Sequence, residues 1–129
     1  MALAQAGLAE QALAAAERIE NADWRSKAYR KVALALAQAG RPKQALAAAK
    51  RIENAYWRSK AYAEVAEALA RSGLAEQALA AAERIEDADW RSEAYRKVAL
   101  ALAQAGLAEQ ALEVARQIKD AWRRSAAVC

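Results

Sequence analysis

The sequence repeats itself every 33 residues, and this period constrains the fold more than any other feature. Residues 8–32 and 74–98 differ at only two positions, and successive glycines are 33 residues apart. A unit of this length cannot bury its own apolar face, so stacked copies must cover one another. We therefore predict a single repeat domain over residues 1–129, with a partial copy at 1–20, complete copies at 21–53, 54–86 and 87–119, and a partial copy at 120–129.

The apolar positions that recur unchanged in the complete copies lie on one helical face. In the first complete copy they are Ala28, Tyr29, Val32, Ala33 and Leu36. Their spacing of three and four predicts a helix over about residues 24–39, which we call helix A. Positions that vary between copies are expected on the exposed side. A glycine follows each helix A, where a helix C-cap needs a residue that tolerates positive φ.

A second, shorter helix is predicted over about residues 41–53, and we call it helix B. Pro42 suits its first turn, and Ala45, Ala49 and Ile52 form its inner stripe. The next helix A then needs an N-cap, and the equivalent residues Asn21, Asn54, Asp87 and Asp120 all suit this role. Short connections make antiparallel neighbours. The prediction is an all-α fold, an α-solenoid of stacked antiparallel helical hairpins.

Composition excludes several classes of function. The chain has no His and one Cys, so zinc sites, disulfide frameworks and His-based acid–base chemistry lack their usual residues. The net charge of +4 is spread among residues of both signs, which is not a nucleic-acid footprint. No segment has the apolar length of a membrane span, and the N-terminus lacks signal-peptide features. We expect a cytoplasmic protein with no cofactor and no enzyme activity.

The repeat resembles the tetratricopeptide repeat. The residues that carry the resemblance are Tyr29-x-x-Val32-Ala33-x-x-Leu36, then Gly40, then Ala45-Leu46, and the same offsets recur from Tyr62 and from Tyr95. Two features depart from that family. The period is 33 residues rather than roughly 34, and Trp57 or its equivalent stands near the place of the family's usual proline. The resemblance implies a tetratricopeptide-like superhelix.

Arrays of that family bind extended peptides in a groove lined by the A helices. Carried over by position, the groove residues would be Lys27, Arg30, Leu34, Gln38, Lys60, Ala63, Glu67, Arg71, Glu93, Arg96, Leu100 and Gln104. Lys27, Arg30 and Lys60 would hold an acidic peptide terminus. The alternative is a solvated face of mixed sign, and Glu67 and Glu93 favour it because they dilute the positive charge.

Trp24, Arg25 and Ser26 recur as a group in the complete copies and have two interpretations. They could form a binding stripe. The preferred interpretation is structural: Trp packs between successive hairpins, while Arg caps helix-end carbonyls or pairs with a nearby Glu.

The two ends of the chain resemble pieces of helix A, which raises a hypothesis of assembly. Residues 2–6 match the second half of a helix A and residues 122–129 match the first half of another. One hypothesis is that molecules stack end to end; the other is that a longer array was cut arbitrarily and its ends fray. Cys129 is expected to form an intermolecular disulfide, to serve as a labelling handle, or to be inert.

The near-identity of the copies and the lack of a theme among groove positions favour a non-catalytic, engineered or de novo repeat scaffold that contacts proteins, peptides or copies of itself. The alternative is a fragment of a natural bacterial adaptor that binds peptide segments in its groove. Neither hypothesis involves nucleic acid or a membrane.

Overall fold

Seven α-helices make up most of the described chain. The computed structural model describes the backbone of residues 2–128 and the side chains of residues 7–118. The helices are α1 (Ala2–Glu17), α2 (Ala22–Gln38), α3 (Pro42–Lys50), α4 (Ala55–Arg71), α5 (Ala75–Glu83), α6 (Ala88–Gln104) and α7 (Ala108–Val128). No strand occurs within residues 2–128, so the all-α prediction is confirmed.

From α2 to α6, long and short helices alternate, as the A and B helices were predicted to do. Helices α2, α4 and α6 have 17 residues each, and α3 and α5 have 9. The predicted N-caps Asn21, Asn54 and Asp87 are confirmed, because each side chain accepts a hydrogen bond from the backbone N–H three residues later, at 3.0, 3.0 and 2.8 Å. Pro42 lies in the first turn of α3 as predicted.

The three long helices end in the same way. Gly40 has φ of 76°, and its N–H donates to the carbonyl of Ala37 while the N–H of Arg41 donates to that of Leu36. This pair of bonds satisfies helix-end carbonyls and needs a residue with positive φ. Gly73 and Gly106 repeat it, with φ of 81° and 83°.

Helix B ends about three residues earlier than predicted. Helix α3 stops at Lys50, and the N–H of Ile52 donates to the carbonyl of Ala49 in a tighter turn. The turn brings the Ile52 side chain into the core, where it is almost fully buried. Burial of this side chain therefore decides where the helix ends.

At the two ends of the chain, two predicted breaks are absent: the break after a helix A at Gly7, and the break between a helix B and the next helix A at Asp120. Helix α1 continues through Gly7, and α7 continues through Asp120, so the predicted helix start at Asp120 is wrong. An uninterrupted helix gains one hydrogen bond per added residue, and a Gly in its interior costs only about 1 kcal/mol. Cys129 lies outside the described residues.

Each helix packs against its neighbours in the chain. Helix α2 contacts α3 and α4, and α4 contacts α5 and α6, while α6 and α7 form another contacting pair. The core consists mainly of Ala, which lets helices approach closely, with larger side chains from Ile52, Leu69, Ile85 and Leu102. The predicted inner stripe of α3 is confirmed, since Ala45, Ala49 and Ile52 are buried.

No helix within the described part of the chain is both long enough and apolar enough to cross a lipid bilayer.

Candidate protein-interaction surface

The variable positions of the long helices lie mostly at the surface. Six of the predicted groove residues are exposed, namely Gln38, Arg71, Glu93, Arg96, Leu100 and Gln104; five are half-buried, namely Lys27, Arg30, Leu34, Lys60 and Glu67. Ala63 was expected to be exposed, and this is wrong, because only 9% of its surface is accessible. Helix α4 is flanked by α2 and α6, and the short Ala63 side chain does not reach past them.

Trp57 is the centre of a cluster of positive charges. The ammonium groups of Lys27 and Lys60 lie 5.7 and 5.4 Å from the centroid of the Trp57 ring, and the Arg30 guanidinium carbon lies 5.7 Å from it. Lys27 also lies 5.0 Å from the ring of Trp24. Cations at such distances are attracted by the negative face of an indole. The structure thus brings together three cations from two neighbouring long helices, α2 and α4.

Only one of these three cations is neutralised by a nearby carboxylate. The Nε of Arg30 donates to Glu64 Oε1 at 2.6 Å, and this pair joins α2 to α4. Neither Lys27 nor Lys60 forms an ion pair with a carboxylate of residues 7–118. The cluster therefore presents two uncompensated positive charges beside an aromatic ring.

The third complete copy has different electrostatics at the equivalent positions. Glu93 stands where the first two copies have Lys27 and Lys60. Arg96 donates two hydrogen bonds to Glu93, at 2.5 and 3.2 Å. This hydrogen bonding lowers the pKa of Glu93 and raises the pKa of Arg96. The three cations beside Trp57 thus come from the first two complete copies.

The recurring arginine is a structural residue. Arg25, Arg58 and Arg91 each donate through Nη1 to the carbonyl of an isoleucine six residues earlier, at 3.0, 3.0 and 2.9 Å. Each Nη1 also donates to the carbonyl of the glutamate that follows that isoleucine. The capping interpretation is confirmed for this residue of the group.

Some of the recurring aromatic side chains pack against the core, and others are exposed. Trp57 and Trp90 pack partly against the core, as predicted, whereas Trp24 is 64% exposed. Tyr56 joins the aromatic residues without having been predicted to do so, and its ring centroid lies 5.4 Å from that of Trp57 and 5.1 Å from that of Trp90. The sequence does mark this residue as unusual, because the equivalent residue in the other two complete copies is Asp. Tyr56 therefore extends the aromatic surface from the second copy to the third.

Burial affects the ionisation of Tyr95, the invariant tyrosine of the third complete copy. Its side chain is 7% exposed, and desolvation, assisted by the negative charge of Glu83, raises its pKa above 10.0. Tyr95 belongs to the core and offers no accessible group for chemistry.

Two clefts near the start of the chain differ in polarity. One is an apolar cavity of about 250 Å³ between α1 and α2, lined by alanine, leucine and valine side chains together with Arg41. The other has a volume of about 260 Å³ and a polar lining that includes Asp23, Arg25, Glu53 and Asn54. Within the described residues, no group of three His, Cys, Asp or Glu side chains has the arrangement of a metal site.

Comparison of the chain with protein-family models, with curated proteins and with solved structures finds no match in any of the three. The tetratricopeptide resemblance therefore rests on the residues of the repeat.

Proposed function

We propose that this chain is a cytoplasmic, non-catalytic scaffold, an α-solenoid of tetratricopeptide-like hairpins whose surfaces and ends contact proteins or further copies of itself. The near-identity of the copies favours an engineered origin. The repeating geometry supports the proposal. The arginine-to-carbonyl bond recurs at 3.0, 3.0 and 2.9 Å, and the N-cap bond at 3.0, 3.0 and 2.8 Å. A stacked array requires the same contacts between each pair of consecutive units, and these two recurring hydrogen bonds are such contacts.

Insertion of an extra unit tests the stacking on which the scaffold depends. A variant would carry a second copy of residues 54–86 directly after Glu86, which places Asn54 again at the start of a long helix. We expect a larger maximum dimension in small-angle X-ray scattering and a higher free energy of unfolding, because the new unit adds one more buried interface. Loss of cooperative unfolding, or an unchanged maximum dimension, would show that the helices do not stack as an array.

A second candidate function is that of an adaptor for acidic peptide segments, and the cluster around Trp57 favours it. Two lysines that form no ion pair with a carboxylate of residues 7–118 stand beside an indole ring. Aromatic side chains are enriched where proteins recognise one another, and the two ammonium groups attract carboxylates. A peptide carboxylate would bind between Lys27 and Lys60 while its apolar part covers Trp57.

Tryptophan fluorescence can report on this binding. The probe is a short peptide of Glu and Leu with an amidated carboxyl terminus, so that its Glu side chains are its carboxylates, compared with the same peptide carrying Gln in place of Glu. We expect only the acidic peptide to bind, and the double variant Lys27→Gln/Lys60→Gln to lose this binding. Lys97→Gln is the matched control, since Lys97 is exposed on α6. Equal binding of both peptides, or an unchanged affinity in the double variant, would refute the adaptor function.

A further inference from the structure

The aromatic side chains of the second and third complete copies form a continuous surface. The centroid of the Tyr56 ring lies 5.4 Å from that of Trp57 and 5.1 Å from that of Trp90. Tyr56 is 56% exposed and both tryptophans are half-buried, so all three side chains reach the surface. The equivalents of Tyr56 in the other complete copies are Asp23 and Asp89. Among the complete copies, the pair of Tyr56 and Trp90 is therefore specific to this junction.

The two tryptophans differ in the charges around them. Lys27, Arg30 and Lys60 place cations within 5.7 Å of the Trp57 ring centroid. Among residues 7–118, no lysine ammonium or arginine guanidinium lies at such a distance from the ring of Trp90. We call Lys27, Lys60 and Trp57 the carboxylate subsite. Its charges suit an anionic group, whereas the surface at Trp90 suits an uncharged one.

A difference between the copies explains why Trp90 has no cation of this kind. At the first junction between long helices, Arg30 of α2 extends to the ring of Trp57 on α4. At the second junction, the residue of α4 at the equivalent position is Ala63, of which 9% is accessible. An alanine side chain ends at its β-carbon, so the place that the guanidinium occupies at Trp57 is left open at Trp90. We call Tyr56, Ala63 and Trp90 the aromatic subsite.

We propose that the aromatic subsite binds an aromatic side chain of the same peptide whose acidic residue binds at the carboxylate subsite. The inference rests on the adaptor function proposed above and adds the second residue class that the peptide must carry. Aromatic rings attract one another in edge-to-face and offset-stacked arrangements, which adds to the free energy gained from burial alone. The partner is therefore a segment with an aromatic residue close to an acidic one.

The positions of the subsites predict the spacing of these two residues in the peptide. Tyr56 stands between the rings of Trp57 and Trp90, at 5.4 and 5.1 Å, so the two subsites are neighbours. In an extended peptide, side chains two residues apart lie on the same face and are about 6.6 Å apart, whereas adjacent side chains lie on opposite faces. We therefore expect the acidic residue two positions from the aromatic one.

The charges beyond the aromatic subsite favour a peptide over a nucleic acid. Asp89 directly precedes Trp90, and Glu93 lies one turn after it on α6; both carboxylate side chains are exposed. A nucleic acid carries a phosphate at every nucleotide and would bring negative charge beside these carboxylates. A peptide can carry its negative charge at the carboxylate subsite and none at the aromatic subsite.

Isothermal titration calorimetry with short peptides tests the aromatic subsite. The probes are Ser-Glu-Ser-Phe-Ser and its reversed sequence, both acetylated and amidated, each compared with the peptide that has Ala in place of Phe. Both members of a pair carry one carboxylate, so the ratio of their affinities reports on the aromatic side chain. In the better of the two chain directions, we expect the Phe peptide to bind roughly tenfold more tightly than the Ala peptide, because its ring leaves water.

Two variants alter the aromatic subsite in ways that the fold tolerates. Tyr56→Ala removes one ring from an exposed position. Ala63→Arg combined with Lys97→Glu recreates, at the second junction, the pair that Arg30 and Glu64 form at the first, so an arginine fills the place of the peptide's ring. We expect each variant to reduce the preference for Phe over Ala by about threefold or more. Circular dichroism verifies that helix content is retained.

The matched control is Leu112→Ala, because Leu112 is an exposed apolar residue on α7, which contributes nothing to the aromatic subsite. Its preference for Phe is expected to equal that of the unmodified protein. Equal affinity of the unmodified protein for the Phe and Ala peptides, or an unchanged preference in both variants, would overturn the inference and leave the adaptor function intact.

Two further outcomes concern the class of ligand. If neither acidic peptide binds, the adaptor function fails and the inference fails with it. A short oligothymidine is both anionic and aromatic, and it serves as the competing probe. Tighter binding of the oligothymidine than of the Phe peptide would assign this surface to single-stranded nucleic acid and overturn the inference.

Discussion

The Nη1 atom of Arg58 lies 3.0 Å from the carbonyl oxygen of Ile52, to which it donates a hydrogen bond. The same nitrogen donates to the carbonyl of Glu53 at 3.1 Å, and Nη2 lies 3.3 Å from Glu86 Oε1. One side chain on a long helix thus satisfies carbonyls in the turn after the preceding short helix and also reaches Glu86, at the end of its own unit. The bond forms a rigid joint between consecutive hairpins.

Removal of this joint is expected to destabilise the fold. Arg58→Ala leaves two carbonyls without their charged donor, so we expect the free energy of unfolding to fall by about 2 kcal/mol in chemical denaturation. Arg71→Ala is the control, because Arg71 forms an exposed pair with Glu67 one helical turn away, and its loss costs less than about 0.5 kcal/mol. Equal losses for the two variants would contradict the capping role of Arg58.

The N-cap of α4 makes a second, separable contribution. Asn54→Ala removes the acceptor for the Trp57 N–H, a bond of 3.0 Å, and is expected to cost about 1 kcal/mol of unfolding free energy. Asn54→Asp keeps an acceptor at the position, as Asp87 does at the start of α6, and is expected to leave stability nearly unchanged. Thermal unfolding of the three proteins under one set of conditions provides the comparison. A destabilised Asp variant would indicate that the amide group, rather than the acceptor oxygen, matters.

Two glycines that occupy equivalent positions in the repeat are expected to respond oppositely to alanine. Gly73 has φ of 81°, so Gly73→Ala costs about 1 kcal/mol, because a side chain is strained in the left-handed region. Gly7 lies inside α1 with open space around its α-carbon, so Gly7→Ala stabilises the fold by about 1 kcal/mol. Urea denaturation of both variants measures the signs. Destabilisation by Gly7→Ala would indicate that α1 bends at this residue in solution.

Ionisation of Tyr95 is expected to weaken the fold at high pH. Burial raises its pKa in the folded state above 10.0, so the folded protein holds the phenol proton more tightly than the unfolded chain does. Its contribution to stability is complete below about pH 10 and is lost as the pH rises through the folded-state pKa. Tyr95→Phe removes this dependence. We expect the unfolding free energy of the variant to fall less than that of the unmodified protein between about pH 8 and about pH 11. Parallel falls would exclude Tyr95 as the titrating group.

Features that depend on residues close together in the chain could be predicted from the amino-acid sequence. The N-caps, the glycine C-caps and the arginine capping bonds all join groups three to six residues apart, and the residues that form them recur with the 33-residue period. The inner stripe of each helix also follows from spacing, since apolar residues three and four apart must share a face.

Burial and contacts between units follow from the tertiary structure. It buries Ala63 between α2 and α6, brings Lys27 and Arg30 of one helix to Trp57 of the next, and leaves Ala35 and Ala103 uncovered at opposite ends. It also decided that α1 and α7 continue where the repeat predicted a break. The physical reason is that identical local sequences experience different neighbours. Burial and electrostatics depend on residues more than 30 positions away, whereas caps and turns depend on residues within two helical turns.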